Sequence, residues 1–226
     1  MGCLMSSPPV APSVYLEYSF LKQFESYFNA LRLSEDEIRR LYNSFNRINI
    51  SGSGVISSTE LFKFLDCKPN DFKEKVFSFL TESKDNMHCA LNFKGFVVLI
   101  WSYCTMNRSN LAAFIIDLYD TDSSPGLRLN EFEDILCDIH SYSFYTNKKA
   151  MKHYNTFKAC YGETLGYVKF KLIHEFIQNH YDIISPAYEL QTFLQTNIIG
   201  YRYWKKVRYR RLHILDNDRL MKQDIK

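Results

Sequence analysis

One loop pattern recurs along this chain at intervals of about 36 residues. The four loops start at residues 49, 84, 120 and 161, so successive starts lie 35, 36 and 41 residues apart. Regular spacing of this size is typical of repeated supersecondary units that bury their apolar faces against one another. Leu41, Phe45 and Ile48 precede the first loop at spacings of four and three, which predicts one face of a helix. The chain is therefore expected to fold as stacked helix-loop-helix units.

The clearest copy of the loop runs from Asp120 to Glu131 and places oxygen atoms where a calcium loop needs them. Such a loop surrounds the ion with oxygens at positions 1, 3, 5, 7 and 12. Those positions hold Asp120, Asp122, Ser124, the carbonyl of Gly126, and Glu131. Three of the five residues are carboxylates, which is enough charge for a divalent hard cation. We expect a calcium ion to bind here.

Pro125 stands at position 6 of this loop, where a sharp turn with positive φ is usual. Its ring fixes φ near −65°, so it cannot make that turn. Gly126 is expected to make the turn instead, with some displacement of its carbonyl. The affinity for calcium should then be about 10⁻⁵ M, at the weak end of the range of sensor proteins.

A second copy runs from residue 49 to residue 60 and has a better backbone but less charge. Position 6 is Gly54, as the turn requires. The oxygen positions hold Asn49, Ser51, Ser53, the carbonyl of Val55, and Glu60. Glu60 is the single carboxylate among them. This loop is interpreted either as a second, weaker calcium site or as a purely structural turn.

Two further copies keep the loop frame and lose the ligands. The loop 84–95 ends in Gly95 and the loop 161–172 ends in Leu172, where a carboxylate is needed. Neither is expected to bind an ion. An apolar residue stands at position 8 in all four loops, where the backbone of one loop pairs with that of its partner; these residues are Ile56, Leu91, Leu127 and Val168.

With these loops and the segments LNFKGF (91–96) and FIIDLY (114–119), the chain resembles the EF-hand superfamily over roughly residues 30–185. Its four-hand arrangement is more similar to calcineurin B and the neuronal calcium sensors than to calmodulin, with degenerate second and fourth hands. The resemblance implies an all-α fold of two EF-hand pairs, with short β pairs between loops and an extra helix at each end.

The expected organisation follows the chain in five segments. They are a flexible start (1–13), an N-terminal helix (14–33), the first pair of hands (34–106), the second pair (107–185), and a C-terminal amphipathic helix with a basic tail (186–226). Ser34 and Glu37 form a capping box that predicts the start of the first hand. Pro186 is expected to open the C-terminal helix, which by resemblance to neuronal sensors fills an apolar groove that a target helix would otherwise use.

The first six residues, MGCLMS, fit the pattern for N-myristoylation at Gly2. One myristoyl chain binds membranes only marginally, and palmitoylation of the neighbouring Cys3 would supply a second anchor. Two interpretations stay open, namely dual acylation and a flexible start without modification.

A basic cluster near the C-terminus contains Lys205, Lys206, Arg208, Arg210 and Arg211. Residues 201–226 carry nine Lys and Arg against three Asp and Glu, whereas the first 200 residues carry 19 against 22. The cluster is either a solvated helix face or a site for anionic lipid. Because the rest of the chain is acidic, we do not expect nucleic-acid binding.

The remaining features exclude several classes of protein. The longest apolar run, 96–101, is far shorter than the roughly 20 residues of a membrane-spanning helix. Six cysteines occur singly, which is typical of reduced thiols in a cytoplasmic protein. Nucleotide-binding, serine-hydrolase and zinc-protease motifs are missing, so we expect neither enzyme activity nor a small-molecule substrate.

The sequence therefore predicts a calcium-binding regulatory protein that modulates a partner by binding its amphipathic helix. We expect it to lie in the cytoplasm, peripherally on the cytoplasmic face of a membrane whose anionic surface it contacts. One calcium site is expected, with a second in the weaker loop. The alternative is a calcium-insensitive EF-hand scaffold or adaptor subunit.

Overall fold

The structure is a computed structural model that describes residues 25–80, 90–161 and 166–211. Its helices are α1 (Glu25–Ala30), α2 (Glu35–Ile48), α3 (Ser58–Phe64), α4 (Asp71–Leu80), α5 (Phe93–Thr105), α6 (Arg108–Tyr119), α7 (Leu129–His140), α8 (Lys148–Tyr161), α9 (Phe170–Asn179) and α10 (Tyr181–Asn197). A 3₁₀ helix covers Ser141–Thr146, and residues 201–211 form a further helical segment. The strands are β1 (Ile56–Ser57), β2 (Ala90–Leu91), β3 (Gly126–Leu127) and β4 (Val168–Lys169). The all-α EF-hand fold predicted from the sequence is confirmed.

The chain divides into two compact units, Met1–Asn43 and Ser44–Lys226. In the first unit, α1 ends at Ala30, earlier than the predicted boundary at residue 33, and Arg32 follows it with a φ of 51°. The predicted capping box is present, because Ser34 N donates to Glu37 Oε2 at 2.9 Å and Glu37 N donates to Ser34 Oγ at 3.4 Å. Residues 14–24 of the predicted helix lie outside the described residues.

Short antiparallel strands join the loops in pairs within the second unit. Ile56 pairs with Leu91, and Leu127 pairs with Val168. All four side chains are at most 3% exposed, so each strand pair also contributes to the core. The predicted pairing at position 8 of the loops is confirmed.

Gly126 allows β3 and β4 to approach each other closely. A Cβ atom built on Gly126 would lie 1.9 Å from the carbonyl oxygen of Val168 and 2.6 Å from its carbon. Both atoms belong to backbone, so they cannot move aside as a flexible side chain would. A glycine is therefore required here by contact between the strands.

Helix α10 starts and ends differently from the prediction. It begins at Tyr181, five residues before Pro186, which lies inside the helix. Proline cannot donate to the carbonyl of Asp182, and the Ser185 hydroxyl donates to that oxygen instead, at 3.2 Å. The helix ends at Asn197, because Ile199 and Gly200 adopt positive φ angles of 67° and 116°. The single C-terminal helix predicted from Pro186 onwards is therefore two helical segments, α10 and residues 201–211.

Helix α10 covers an apolar groove formed by α3, α4 and α5. Leu190 and Leu194 enter the groove and leave a cavity of only about 10 Å³. The groove is lined by Leu61, Phe62, Lys73, Val76, Phe77, Leu99 and Tyr103. The C-terminal helix thus fills an apolar groove, as the resemblance implied.

Polar side chains fix α10 to the carboxyl end of α5. Gln191 Nε2 donates to the carbonyls of Tyr103 and Met106 at 2.6 and 3.0 Å. Gln195 Nε2 donates to the carbonyl of Cys104 at 2.7 Å. Both glutamines are 2% exposed. The last carbonyls of a helix lack their usual partners within it, and these amides supply donors at this helix end in addition to Met106 N, which lies 3.4 Å from the carbonyl of Tyr103.

The segment 201–211 adds two arginines to the same helix end. Arg211 Nη1 donates to the carbonyl of Ser102 at 3.2 Å and to Thr105 Oγ1 at 2.6 Å. Arg208 Nη2 lies 3.4 Å from the carbonyl of Cys104 and 3.3 Å from Gln191 Oε1. A positive charge is also favourable near the negative end of a helix dipole. We name Gln191, Gln195, Arg208 and Arg211 the C-terminal clamp.

Among the described residues, no helix has the length and apolar character needed to cross a membrane.

Replacing Gln191 by Ala should lower the free energy of unfolding by about 1 to 3 kcal/mol, because the buried carbonyl of Tyr103 and the part-buried carbonyl of Met106 each lose a donor. Urea denaturation measures this change. The matched control is Gln178→Ala, at a half-buried position, which should cost at most about 0.5 kcal/mol. Equal effects of the two substitutions would contradict the proposed importance of the clamp.

Replacing Gly126 by Ala should cost about 3 kcal/mol in calcium-free buffer, since the new Cβ collides with the backbone of Val168. Gly52→Ala is the control. Gly52 has a φ of 68°, and a Cβ added to it would meet no atom within 4 Å, so only backbone strain of about 1 to 2 kcal/mol is expected there. A smaller loss for Gly126→Ala than for Gly52→Ala would show that the strand contact is unimportant.

Candidate metal centre

Three carboxylates converge in the loop between α6 and α7. Oxygen atoms of Asp120, Asp122 and Glu131 all lie within 4.8 Å of one another. In the described part of the chain they form the one group of three or more Asp, Glu, His or Cys residues close enough to share a metal ion. Glu131 is only 4% exposed, Asp120 is partly buried and Asp122 is exposed. Like charges at this separation repel each other, so the loop is suited to a cation.

Backbone amides of the loop orient these carboxylates. Ser124 N donates to Asp120 Oδ1 and to Asp122 Oδ1, each at 3.1 Å. Glu131 Oε1 accepts from Thr121 N at 3.2 Å and from Thr121 Oγ1 at 2.8 Å. Glu131 Oε2 accepts from Arg128 N at 2.9 Å. The two ends of the loop are therefore tied together by the side chain at position 12.

The other two predicted oxygens belong to the same loop. Ser124 Oγ donates to the carbonyl of Gly126, so the oxygens at positions 5 and 7 touch. Arg128 Nη2 forms an ion pair with Asp122 Oδ2 at 2.6 Å, a contact that the loop pattern does not predict. The donor set consists of hard oxygens, including three carboxylates, and therefore fits calcium.

The sharp turn in this loop lies at Ser123, and the expectation that Gly126 makes it is wrong. Ser123 has a φ of 53°, while Gly126 is not among the residues with positive φ. In the loop 49–60 positive φ also occurs at position 6, where Gly54 has a φ of 80°; Pro125 cannot adopt such an angle, so the loop 120–131 keeps only the turn at position 4. The loop 49–60 has a glycine at the same position 4, Gly52, with a φ of 68°. In the sequence, the glycine at position 4 of the loop 49–60 was the signal for a turn at the same position of the loop 120–131.

The loop 49–60 also gathers its predicted oxygens. Ser51 Oγ lies 3.2 Å from Asn49 Oδ1 and 3.1 Å from Ser53 Oγ, which in turn lies 2.9 Å from the carbonyl of Val55. Glu60 Oε1 accepts from Ser51 N at 3.1 Å. The loop therefore brings the same five positions together as the loop 120–131. Its serine hydroxyls hydrogen-bond to neighbouring oxygens of the loop, and Glu60 accepts from a backbone N–H.

Glu60 serves mainly as a cap of α3. Ser57 N and Ser57 Oγ both donate to Glu60 Oε2 at 3.0 Å, and Glu60 N donates to Ser57 Oγ at 3.2 Å. The backbone N–H of Ser57 is the main cause that lowers the pKa of Glu60 to about 2, with a further contribution from Ser51. The carboxylate therefore stays charged at neutral pH, and its hydrogen bonds stabilise the loop without an ion.

The entering and exiting helices of the loop 120–131 are bridged next to the carboxylates. Tyr119, the last residue of α6, donates from Oη to Asp138 Oδ2 on α7 at 2.8 Å. Lys75 of α4 forms an ion pair with the same oxygen at 2.8 Å, and its Nζ lies 4.0 Å from the centre of the Tyr119 ring. We name these three residues the hand bridge. It connects the loop to a helix of the first pair.

The remaining predicted site residues are distributed differently. Gly2 and Cys3 lie outside the described residues, as does part of each of the other two loops. In the basic cluster, Lys205 and Lys206 are exposed, whereas Arg210 is only partly so. Arg208 and Arg211 belong to the C-terminal clamp and face α5. The five basic residues therefore do not share one surface.

No protein-family profile matches this chain. The chain is similar to the type 1 calcineurin B protein of Dictyostelium discoideum, with 24% identity over 115 residues. The similar segment covers 51% of this chain and 63% of that protein, which is less than two thirds of its length.

Proposed function

We propose that this chain is a calcium-binding regulatory protein that binds an amphipathic helix of a partner, and that it works on the cytoplasmic face of a membrane. The observation that carries the proposal is the convergence of the Asp120, Asp122 and Glu131 oxygens within 4.8 Å. The similarity to a calcineurin B protein supports the same class of protein. Asp120, Asp122, Ser124, Gly126 and Glu131 would hold the ion.

A bound calcium ion would neutralise the three carboxylates that otherwise repel one another in this loop. Asp122 is shared with Arg128 in the structure, so calcium binding competes with that ion pair. Because the loop lacks its usual turn at position 6, we expect an affinity of about 10⁻⁵ M. The chain would then respond to large rises in calcium.

The hand bridge offers a route from the loop to the rest of the protein. A change in the angle between α6 and α7 would alter the distance between Tyr119 and Asp138, which hold Lys75 of α4. Helix α4 also lines the groove that Leu190 and Leu194 fill. Regulation in EF-hand proteins works through such changes of helix angle and of access to an apolar groove.

A partner helix that replaced α10 in this groove would have to supply hydrogen-bond donors to the end of α5. The carbonyls of Tyr103, Cys104 and Met106 now accept from Gln191 and Gln195. A purely apolar helix would take these amide donors away, and the carbonyls of Tyr103 and Cys104 would keep only the longer contacts, each 3.4 Å, with Met106 N and Arg208 Nη2. A carbonyl left without any donor costs about 1 to 3 kcal/mol. We expect a partner that uses this groove to carry amide or guanidinium side chains at a spacing of four residues.

A calcium-insensitive adaptor is the second candidate, and the loop 49–60 favours it. Its side-chain oxygens satisfy one another, and Glu60 caps α3, so the loop is stable without an ion. The same fold would then present helices to a partner at any calcium concentration.

Calorimetric titration distinguishes the two candidates. Calcium should bind to the parent protein with measurable heat, and an Asp120→Ala, Glu131→Gln variant should lose that heat because it lacks two of the three carboxylates. Glu60→Gln is the matched variant for the other loop and should reduce only a second, weaker phase. If the parent protein shows no heat at millimolar calcium, the adaptor is correct and the sensor is excluded.

A further inference from the structure

One face of the segment 201–211 combines cations with exposed aromatic rings. It consists of Tyr201, Arg202, Lys205, Lys206 and Tyr209. Tyr201 is 53% exposed and Tyr209 is 57% exposed, and the three basic residues are exposed as well. At 100° per residue these positions span about 140° of the helix circumference. We name this surface the basic-aromatic face.

The opposite side of the same segment is fixed against the protein. Trp204 is completely buried and Val207 is 1% exposed. Trp204 Nε1 donates to the carbonyl of Ile198 at 2.6 Å. Arg208 and Arg211 donate to α5, and the Arg211 guanidinium lies 4.8 Å from the centre of the Trp101 ring. These contacts therefore fix the rotation of the segment about its helix axis, and the basic-aromatic face points towards solvent.

The positive charge of this face is not neutralised by carboxylates in the described part of the chain. The sequence has no Asp or Glu between Glu189 and Asp216. Among the described residues, no carboxylate forms an ion pair with Arg202, Lys205 or Lys206. These three cations stand together although Asp and Glu outnumber Lys and Arg over the first 200 residues.

We propose that the basic-aromatic face binds the anionic headgroups of a phospholipid membrane. The proposal deepens the membrane part of the proposed function and rests on it. Arg202, Lys205 and Lys206 supply the charge that attracts anionic lipid. Tyr201 and Tyr209 stand at the two ends of the face, and their rings, apolar with a polar tip, suit the interfacial region of a bilayer.

The shape of the face favours a membrane over a nucleic acid. The face is about 12 Å long and lies on the convex surface of one helix. A nucleic acid requires cations that follow its phosphate backbone, and the acidic charge of the preceding 200 residues would oppose such an extended contact. A bilayer brings several headgroups to a short helix, with the rest of the protein remaining in solution.

Vesicle co-sedimentation tests this proposal with the full chain, purified without acyl groups and kept in EGTA. The protein should partition onto vesicles with about 30% phosphatidylserine in phosphatidylcholine and stay off pure phosphatidylcholine vesicles. Replacing Arg202, Lys205 and Lys206 together by Gln should reduce the partition coefficient about 100-fold, or about fivefold per cation. Since calcium and acylation are both absent, the result does not depend on the metal site or on Gly2 and Cys3.

The matched control replaces Lys148, Lys149 and Lys152 of α8 by Gln, which removes the same charge from another exposed helix face. It should change partitioning less than about threefold, since these residues are not on the proposed face. A Tyr201→Ser, Tyr209→Ser variant should also lose binding, and it retains every cation. The proposal is overturned if the parent protein ignores the anionic vesicles, if both triple variants bind equally, or if a duplex oligonucleotide displaces the protein from the vesicles.

Discussion

The carboxyl end of α5 is the point to which α10 and residues 201–211 are attached in the second unit. Its last carbonyls are covered by later parts of the chain, and apart from Met106 N, which lies 3.4 Å from the carbonyl of Tyr103, their donors come from side chains. The C-terminal clamp supplies them from α10 and from residues 201–211. Leu190 and Leu194 could fill an apolar groove in several registers, but the directional bonds of Gln191 and Gln195 select one. The position of α10 follows from that choice.

The clamp also determines which charges of the C-terminal segment are available to other molecules. Arg208 and Arg211 lie close in sequence to Lys205 and Lys206, and the pattern of residues does not distinguish them. Only the arginines can reach the α5 carbonyls while Trp204 is buried. A guanidinium suits this position because it offers several donors in one plane, as the contacts of Arg211 with Ser102 and Thr105 illustrate.

The features that could be predicted from the sequence are those set by nearby residues. The strand pairs at Ile56 and Leu127 follow from the phase of the loops, and the convergence of Asp120, Asp122 and Glu131 follows from positions within one loop. The C-terminal clamp could not be predicted, because its residues lie about 85 to 110 residues away in the chain from their partners at the end of α5. The start of α10 was mispredicted at Pro186 for another reason. A hydroxyl one residue earlier replaces the lost donor, and tertiary packing keeps the helix intact.

Helix α4 contributes both to the hand bridge beside the loop 120–131 and to the filled groove, so the two halves of the proposed function are physically linked. Lys75 contacts Tyr119 and Asp138, while the next residue, Val76, lines the groove beneath Leu190 and Leu194. Tyr119 is itself followed directly by Asp120, the first residue of the loop 120–131. A movement of α7 that pulls Asp138 away from Tyr119 would strain the two contacts of Lys75, one with Asp138 and one with the Tyr119 ring, and would pull on α4 through that side chain. Movement of α4 disturbs the packing of α10, whereas the polar bonds from α10 to α5 resist that disturbance. In the proposed regulation, the C-terminal clamp would therefore limit how much of a change in the loop reaches the groove.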